Sequence, residues 1–281
     1  MKKILVVLVA FFILQAGLLP AQDRTPAPND EELKKILADF EQYAAKAMKD
    51  WKIPGMSVGI VKDGKLIFAK GFGLKRLGGN EPVTENTVFQ IGSTTKAFTA
   101  ALVAMLADEG KFKWEDKVVD HAIGFMMHDP WVTREFQIVD LMSQRSGMPG
   151  YAGDTMYLLG FDRQYVKKAI RNIKPVSSFR SQYAYQNSLW LVAADIIEKY
   201  SGKSWELTLK ERIFDPLGMN SSSSDKQSFL NAKDASSLHV DKGGKILALP
   251  KDWEFLDWSY TAGPSGSINS NIVDMAKWLI F

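Results

Sequence analysis

The sequence predicts an α/β (α+β) chain in which strand-forming segments flank a mostly helical insertion, and three observations carry that expectation. Two strand-like segments, 56–62 and 65–73, meet at Asp63-Gly64, a dipeptide that strongly signals a two-residue hairpin turn. Residues 97–107 are apolar except for Thr99, so this stretch has no polar face and is expected to be a buried helix. From 111 to 220 the apolar spacing is chiefly helical, and a second hairpin pattern returns around Gly243-Gly244.

Composition bounds the function. A chain of 281 residues, 46% apolar and 24% charged, is globular and large enough for one large domain or two lobes. The formal charge is +3, and loss of Lys2 and Lys3 with a leader would reduce it to +1, which argues against a nucleic-acid binder. There is no cysteine, which excludes disulfides, thiol catalysis and a lipid-bearing N-terminal cysteine. His121, His128 and His239 form no spaced pair of ligands, so no metal and no cofactor is expected.

In chain order, Lys2-Lys3, the apolar run 4–14 and the small-residue end Pro20-Ala21 read as a signal peptide over 1–21. A retained membrane helix fits less well, because 4–19 falls short of the ~20 residues a span needs and contains Gln15. The mature protein is thus expected to be exported, periplasmic or secreted, with no membrane span once the leader is gone. A polar linker, 22–30, leads to a helix over 31–51, capped by Asn29 or Asp30 and striped by Leu33, Ile36, Leu37, Phe40, Ala44, Ala47 and Met48. The hairpin follows. Its first strand contains Gly55-Met-Ser57-Val-Gly59, which matches a Gly-x-Ser-x-Gly nucleophile elbow. That elbow requires a strand, a sharp turn and a helix, whereas here a second strand follows, so Ser57 is expected to be structural. A glycine-bearing loop, 74–85, precedes the apolar helix, for which Gly110 is the stop signal. Segments 114–117 and 121–129 read as irregular; 136–143, 162–173, 188–200 and 204–213 read as helices; a last helix starts at Ser270 or Asn271.

The chemistry gathers at Phe89-Gln-Ile-Gly-Ser-Thr-Thr-Lys96, at the head of the apolar helix. Lys96 is the only charged residue between Glu85 and Asp108. In the first turn of a buried helix its charge is opposed by the helix dipole, at about 0.3–1 kcal/mol, and by loss of water. Ser93 lies three residues earlier, on the same helix face. A lysine whose pKa is depressed by burial can take the serine proton, and the N–H groups of the same terminus point to where an oxyanion would form. The plainer reading makes Ser93 a helix cap and lets Lys96 reach the surface. A second Ser-x-x-Lys, Ser223-Ser-Asp-Lys226, lies in a serine-rich run without helical pattern and reads as loop. Further on, Tyr185 and Asn187 share one face of an extended segment before the 188–200 helix, so phenol and amide can face one cleft. A phenol near a lysine cation is expected to lose its proton more easily, and the amide can hold a substrate carbonyl; otherwise the pair is a core aromatic beside a helix cap.

Phe89-Gln-Ile-Gly-Ser-Thr-Thr-Lys96, Ser146-Gly-Met-Pro-Gly150, Tyr185-Gln-Asn187, Pro216-Leu-Gly-Met219 and Ala262-Gly-Pro-Ser-Gly-Ser267 occur in the order found in the serine β-lactamase-like, or penicillin-binding-protein-like, family. The chain resembles most the class C β-lactamase, esterase and D-aminopeptidase branch, over residues 31–281. The resemblance implies a β-lactamase/transpeptidase-like fold, an antiparallel sheet flanked by helices with a helical lobe at about 111–220. It also implies an acyl-enzyme hydrolase acting on a small-molecule or peptide substrate. Ser93 would attack a carbonyl, Lys96 and Tyr185 would handle protons, with the acylation base open between them, and Asn187 would orient the substrate.

The family carries a third motif, Lys or His followed by another residue and Gly, on a later strand that supplies a second oxyanion N–H. Lys62-Asp-Gly64 and Arg145-Ser-Gly147 precede Tyr185, and Lys242-Gly-Gly244 reads as a hairpin turn. The chain is therefore expected to be the N-terminal portion of such a domain, lacking its C-terminal strands. An ester, amide or β-lactam hydrolase is the first expectation; a peptidase for D-amino-acid peptides and an inactive binding or sensing module are the alternatives.

Overall fold

The structure is a computed structural model and describes residues 28–281. The expected leader, 1–21, and most of the linker lie outside the described residues. Two compact units divide the chain between Lys46 and Ala47. Helix α1 (Asp30–Asp50) runs through that division. Asn29 Oδ1 accepts from the N–H groups of Glu31 and Glu32, each at 3.0 Å, and Glu32 accepts from Asn29 N at 2.9 Å. This reciprocal box satisfies the first turn. Of the expected stripe Ala44 is buried and Ile36 is exposed.

In the second unit, strands β1 (Gly55–Lys62) and β2 (Lys65–Gly73) pair antiparallel, with a register shift at Ile60/Val61. Asp63 (φ +51°) and Gly64 (φ +69°) both take the left-handed conformation a tight hairpin demands. Ser57 sits mid-strand opposite Gly71, as expected from a strand followed by a strand. Gly71 is required for a different reason: a Cβ there would lie 2.1 Å from the Val83 carbonyl oxygen.

A two-residue strand, β3 (Phe89–Gln90), leads into a 3₁₀ turn, Gly92–Thr94, and then helix α2 (Thr95–Asp108). The prediction of burial all round is only partly met. Phe98, Leu102, Val103 and Leu106 are buried, whereas Ala97 is exposed, so the outer side is lined by small residues rather than by polar ones. Thr99, the one polar residue of that run, donates to the Pro264 carbonyl at 2.7 Å and accepts from Trp205 Nε1 at 3.1 Å. A buried hydroxyl with both capacities filled is compatible with the core.

Helix α3 (Ser188–Ser201) packs against α2 through Leu189, Val192, Ala193, Ile196 and Ile197, and Trp205, Leu209, Ile213 and Phe214 close the same core. Between 111 and 187 the helices are short. Three of them, Val118–His121, Pro130–Glu135 and Asp154–Leu158, were not expected from the sequence. Arg180 ties the segment before α3 to the helix Ile138–Ser143, donating to both carboxylate oxygens of the buried Asp140, at 2.9 and 2.7 Å.

The second expected hairpin is present as β4 (His239–Lys242) and β5 (Lys245–Ala248). The chain then returns to the turn before α2: β6 (Asn269–Ser270) pairs antiparallel with β3. Helix α4 (Ile272–Ile280) is capped by Asn271 Oδ1 at 2.8 Å from Asp274 N and lies on the β1–β2 hairpin, where a Cβ on Gly59 would strike Ile272. Among the described residues no helix is long and apolar enough to cross a membrane.

Candidate active site

Ser93 occupies the 3₁₀ turn that starts α2, and Lys96 lies in the first α-helical turn. The serine is exposed and the lysine is 8% exposed, so neither is the bland cap or snorkelling residue. Opposite them the loop 144–151 grips the segment before α3. Gln186 N donates to Gln144 Oε1 at 2.7 Å, and Gln186 Nε2 donates to the Met148 carbonyl at 3.1 Å. Ser146 Oγ donates to Gln186 Oε1 at 2.8 Å, and Tyr151 N donates to the Tyr185 carbonyl at 2.6 Å. With Gln186 anchored on one side of an extended segment, Tyr185 and Asn187 fall on the other. Asn187 holds the N-cap position of α3, yet its side chain makes no capping bond. It turns to Lys96 instead.

The structure brings Ser93, Lys96, Tyr185 and Asn187 together on one amine. Lys96 Nζ donates to Asn187 Oδ1 at 2.7 Å, to the Ser265 carbonyl at 2.9 Å, to Tyr185 Oη at 2.7 Å and to Ser93 Oγ at 3.3 Å. Tyr185 Oη in turn donates to Ser93 Oγ. Carbonyl oxygens can only accept, so Asn187 and Ser265 each claim one N–H of the amine. Its remaining position faces the two hydroxyls, as an N–H when the lysine is protonated and as a lone pair when it is not.

Electrostatics raise the share of the lone-pair form. Burial pulls the Lys96 amine down to about 8, partly opposed by the charge of Asp154. The Tyr185 phenol moves the other way and corrects a sequence expectation. Burial raises it, Tyr183, Tyr151 and Asp154 add to the rise, and the Ser93 hydrogen bond opposes them. Burial is the largest of these effects, and Tyr185 holds its proton.

Two partners were missed in the sequence. Ser265, in the 3₁₀ turn Gly263–Ser265, contributes only a backbone carbonyl, which no side-chain pattern reveals. Asp154 accepts from Asn187 Nδ2 at 2.7 Å, and nothing in its local sequence pairs it with a residue 33 positions later. The competing motifs resolve otherwise. Ser223 bridges to Asn269, whereas Lys226, expected in a loop, is the first residue of the short helix Lys226–Asn231 because Asp225 caps it. Lys226 pairs with Asp257 at 2.9 Å. Lys62 to Gly64 and Lys242 to Gly244 are hairpin turns.

A family model described as Beta-lactamase matches residues 40–281. The chain belongs to the beta-lactamase family. It is 30% identical to the unguisins hydrolase ungD of Aspergillus violaceofuscus over 278 residues, 94% of this chain and 46% of that protein. It is 28% identical over 229 residues to penicillin-binding protein 4 of Amycolatopsis lactamdurans, covering 80% of this chain and 58% of that one. The octameric penicillin-binding protein homologue from Pyrococcus abyssi superposes with a TM-score of 0.75 at 27% identity, over 87% of this chain and 55% of that one. The chain thus spans about half the length of these relatives. The fold is the β-lactamase/transpeptidase-like one expected, and its relatives are serine hydrolases and penicillin-binding-like proteins.

Proposed function

We propose that this protein is an exported serine hydrolase that forms an acyl-enzyme on Ser93 with an ester, amide or β-lactam carbonyl. The observation that carries the reading is the single amine of Lys96, two of whose positions are held by carbonyl oxygens while the third faces Ser93 and Tyr185. A lysine titrating at about 8 is free base at pH 7 about 300 times more often than one at the ordinary 10.5.

In this reading Ser93 Oγ bonds to the carbonyl carbon while its proton passes to the Lys96 lone pair, directly or through the Tyr185 hydroxyl. The negative charge moves to the carbonyl oxygen, which the Ser93 N–H at the helix start meets. Collapse re-forms the carbonyl and breaks the bond to the leaving group, which takes the proton back by way of Tyr185. Water then attacks the Ser93 ester with the same groups in the opposite order, releasing the acid. Asn187, held toward Lys96 and Asp154, lines the path of the incoming amide or ester. Export rests on Lys2-Lys3 and the apolar run after them.

Incubation with a fluorescent penicillin and with a fluorophosphonate, followed by peptide mass mapping, tests the reading. The expected adduct is on Ser93. Labelling of Ser57 or Ser223 with Ser93 unmodified overturns it, and a Ser93 that takes neither probe would point to the inactive binding module.

A further inference from the structure

Among the described residues Asp154 is the one carboxylate joined to this network, and nothing in the acylation steps above uses it. Its Oδ2 accepts from Asn187 Nδ2 at 2.7 Å, and the same amide presents Oδ1 to Lys96 at 2.7 Å. Its other oxygen, Oδ1, is buried and has no hydrogen-bond partner among the described residues. The carboxylate is therefore spent almost wholly on one amide. A carboxylate can only accept, so it must take the NH₂ end of Asn187, and the carbonyl end is left for the lysine. Without that constraint the amide could turn over and point two donors at an amine that is itself a donor.

We propose that Asp154 is a positioning residue of this site: it sets the orientation of the Asn187 amide and supplies, one amide away, the negative charge that balances Lys96. This rests on the Ser93 reading for its catalytic consequence, although the orientation itself does not.

Among the described residues Asp154 is the counter-charge that acts on Lys96. Tyr185, from the segment before α3, and Tyr157, from the same short helix as Asp154, both keep their protons, because burial raises each phenol. Arg163, whose charge acts on Tyr157, is paired with Glu206 at 2.7 Å. The rings of Tyr185 and Trp190 face the amine at 4.6 and 5.8 Å, and Ser93 and Ser265 offer it only neutral oxygens. Burial pushes the Asp154 carboxyl up, while the Asn187 hydrogen bond and the Lys96 charge hold it down.

Two substitutions separate the two roles. Asp154→Asn keeps an acceptor for Asn187 and removes the charge; Asp154→Ala removes both. Each is followed by fluorophosphonate labelling rate against pH and by the lysine ¹³Cε titration, with Lys96→Arg identifying the Lys96 signal. In Asp154→Asn the Lys96 midpoint, and with it the acid limb of labelling, should fall by about one pH unit, with the alkaline plateau retained. In Asp154→Ala the plateau should also drop, about tenfold or more, as the amide loses its orientation. If neither variant moves the Lys96 midpoint, or if both lower only the melting temperature, Asp154 is structural and the proposal fails. A shifted midpoint in a protein that no probe labels would uphold the positioning role and overturn the hydrolase reading instead.

Discussion

Replacing Lys96 by Met should reveal the energetic cost of the buried amine as a pH-dependent stability difference. The folded-state pKa of about 8 lies below the ordinary 10.5, so the amine is harder to protonate folded than unfolded. Below about pH 8 both states hold the proton, and burial of the charge subtracts from stability in full. Between about 8 and 10.5 the unfolded chain keeps a proton that the folded chain has released, and wild-type stability rises with pH. The full difference is about 3 kcal/mol, of which about 2–3 kcal/mol falls between pH 7 and pH 10. Against this stand the Asn187 and Ser265 oxygens, which the Met variant leaves buried without a donor at about 1–3 kcal/mol each. At pH 7 the two effects oppose each other, leaving the variant between about 1 kcal/mol more stable and about 3 kcal/mol less stable. At pH 10 the orphaned oxygens dominate and the gap widens by about 2–3 kcal/mol. Urea unfolding of both proteins at the two pH values, followed by tryptophan fluorescence, measures it, and alkaline effects common to both chains drop out of the comparison. A gap that stays constant to within about 1 kcal/mol would mean that Lys96 titrates normally, and the acylation chemistry drawn from its free-base form would fall with it.

Two further outcomes are expected. Tyr185→Phe removes the hydroxyl that bridges Lys96 and Ser93. It should slow Ser93 labelling by about 10²-fold or more with little change in melting temperature, and an unchanged rate would take the phenol out of the proton path. Gly71→Ala would force a Cβ to within 2.1 Å of the Val83 carbonyl oxygen, which is backbone and cannot swing away. A loss of about 1–3 kcal/mol in urea unfolding is expected, and a loss under about 0.5 kcal/mol would show that the loop after β2 yields freely.

What was legible in the sequence is what is local. Asp63-Gly64 names its own turn, because two successive left-handed residues are rare and these two types tolerate it. Ser93 and Lys96 are one turn apart, and Tyr185 and Asn187 are one strand repeat apart, so spacing alone puts each pair on a face. Asp129-Pro130 was also readable as a helix start, since Asp129 Oδ1 accepts from Trp131 N at 2.7 Å and proline suits the first turn; the five or six residues that follow carry too little periodicity to draw attention. The β3–β6 pair was not readable. It is two residues long on each side and joins Phe89 to Ser270. The direction of the Tyr185 shift was missed because a charge nearby is visible in a motif, whereas desolvation depends on everything packed around it.

The choice of partners for Lys96 shows how a lysine can be held without being fixed in its charged form. Its two acceptor-only partners, Asn187 Oδ1 and the Ser265 carbonyl, are neutral. A carboxylate in either place would hold the ammonium by a charge-assisted bond and return its pKa toward or above the ordinary value. Neutral carbonyls orient the amine while burial depresses it. The segments that supply them, 185–187 and 262–267, each dock independently of the amine. Gln186 is locked into the loop 144–151, and Ile268, just beyond Ser265, donates its N–H to Thr95 Oγ1 at 3.1 Å and accepts from Ile91 N at 2.9 Å. Deprotonation of Lys96 therefore leaves both acceptors where they are, and the lone pair emerges facing Ser93 without rearrangement. In the proposed reading, preorganisation of this kind lets the Ser93–Lys96 turn serve as nucleophile and base, whereas the copy at Ser223–Lys226 shares the spacing but turns its lysine to the carboxylate of Asp257.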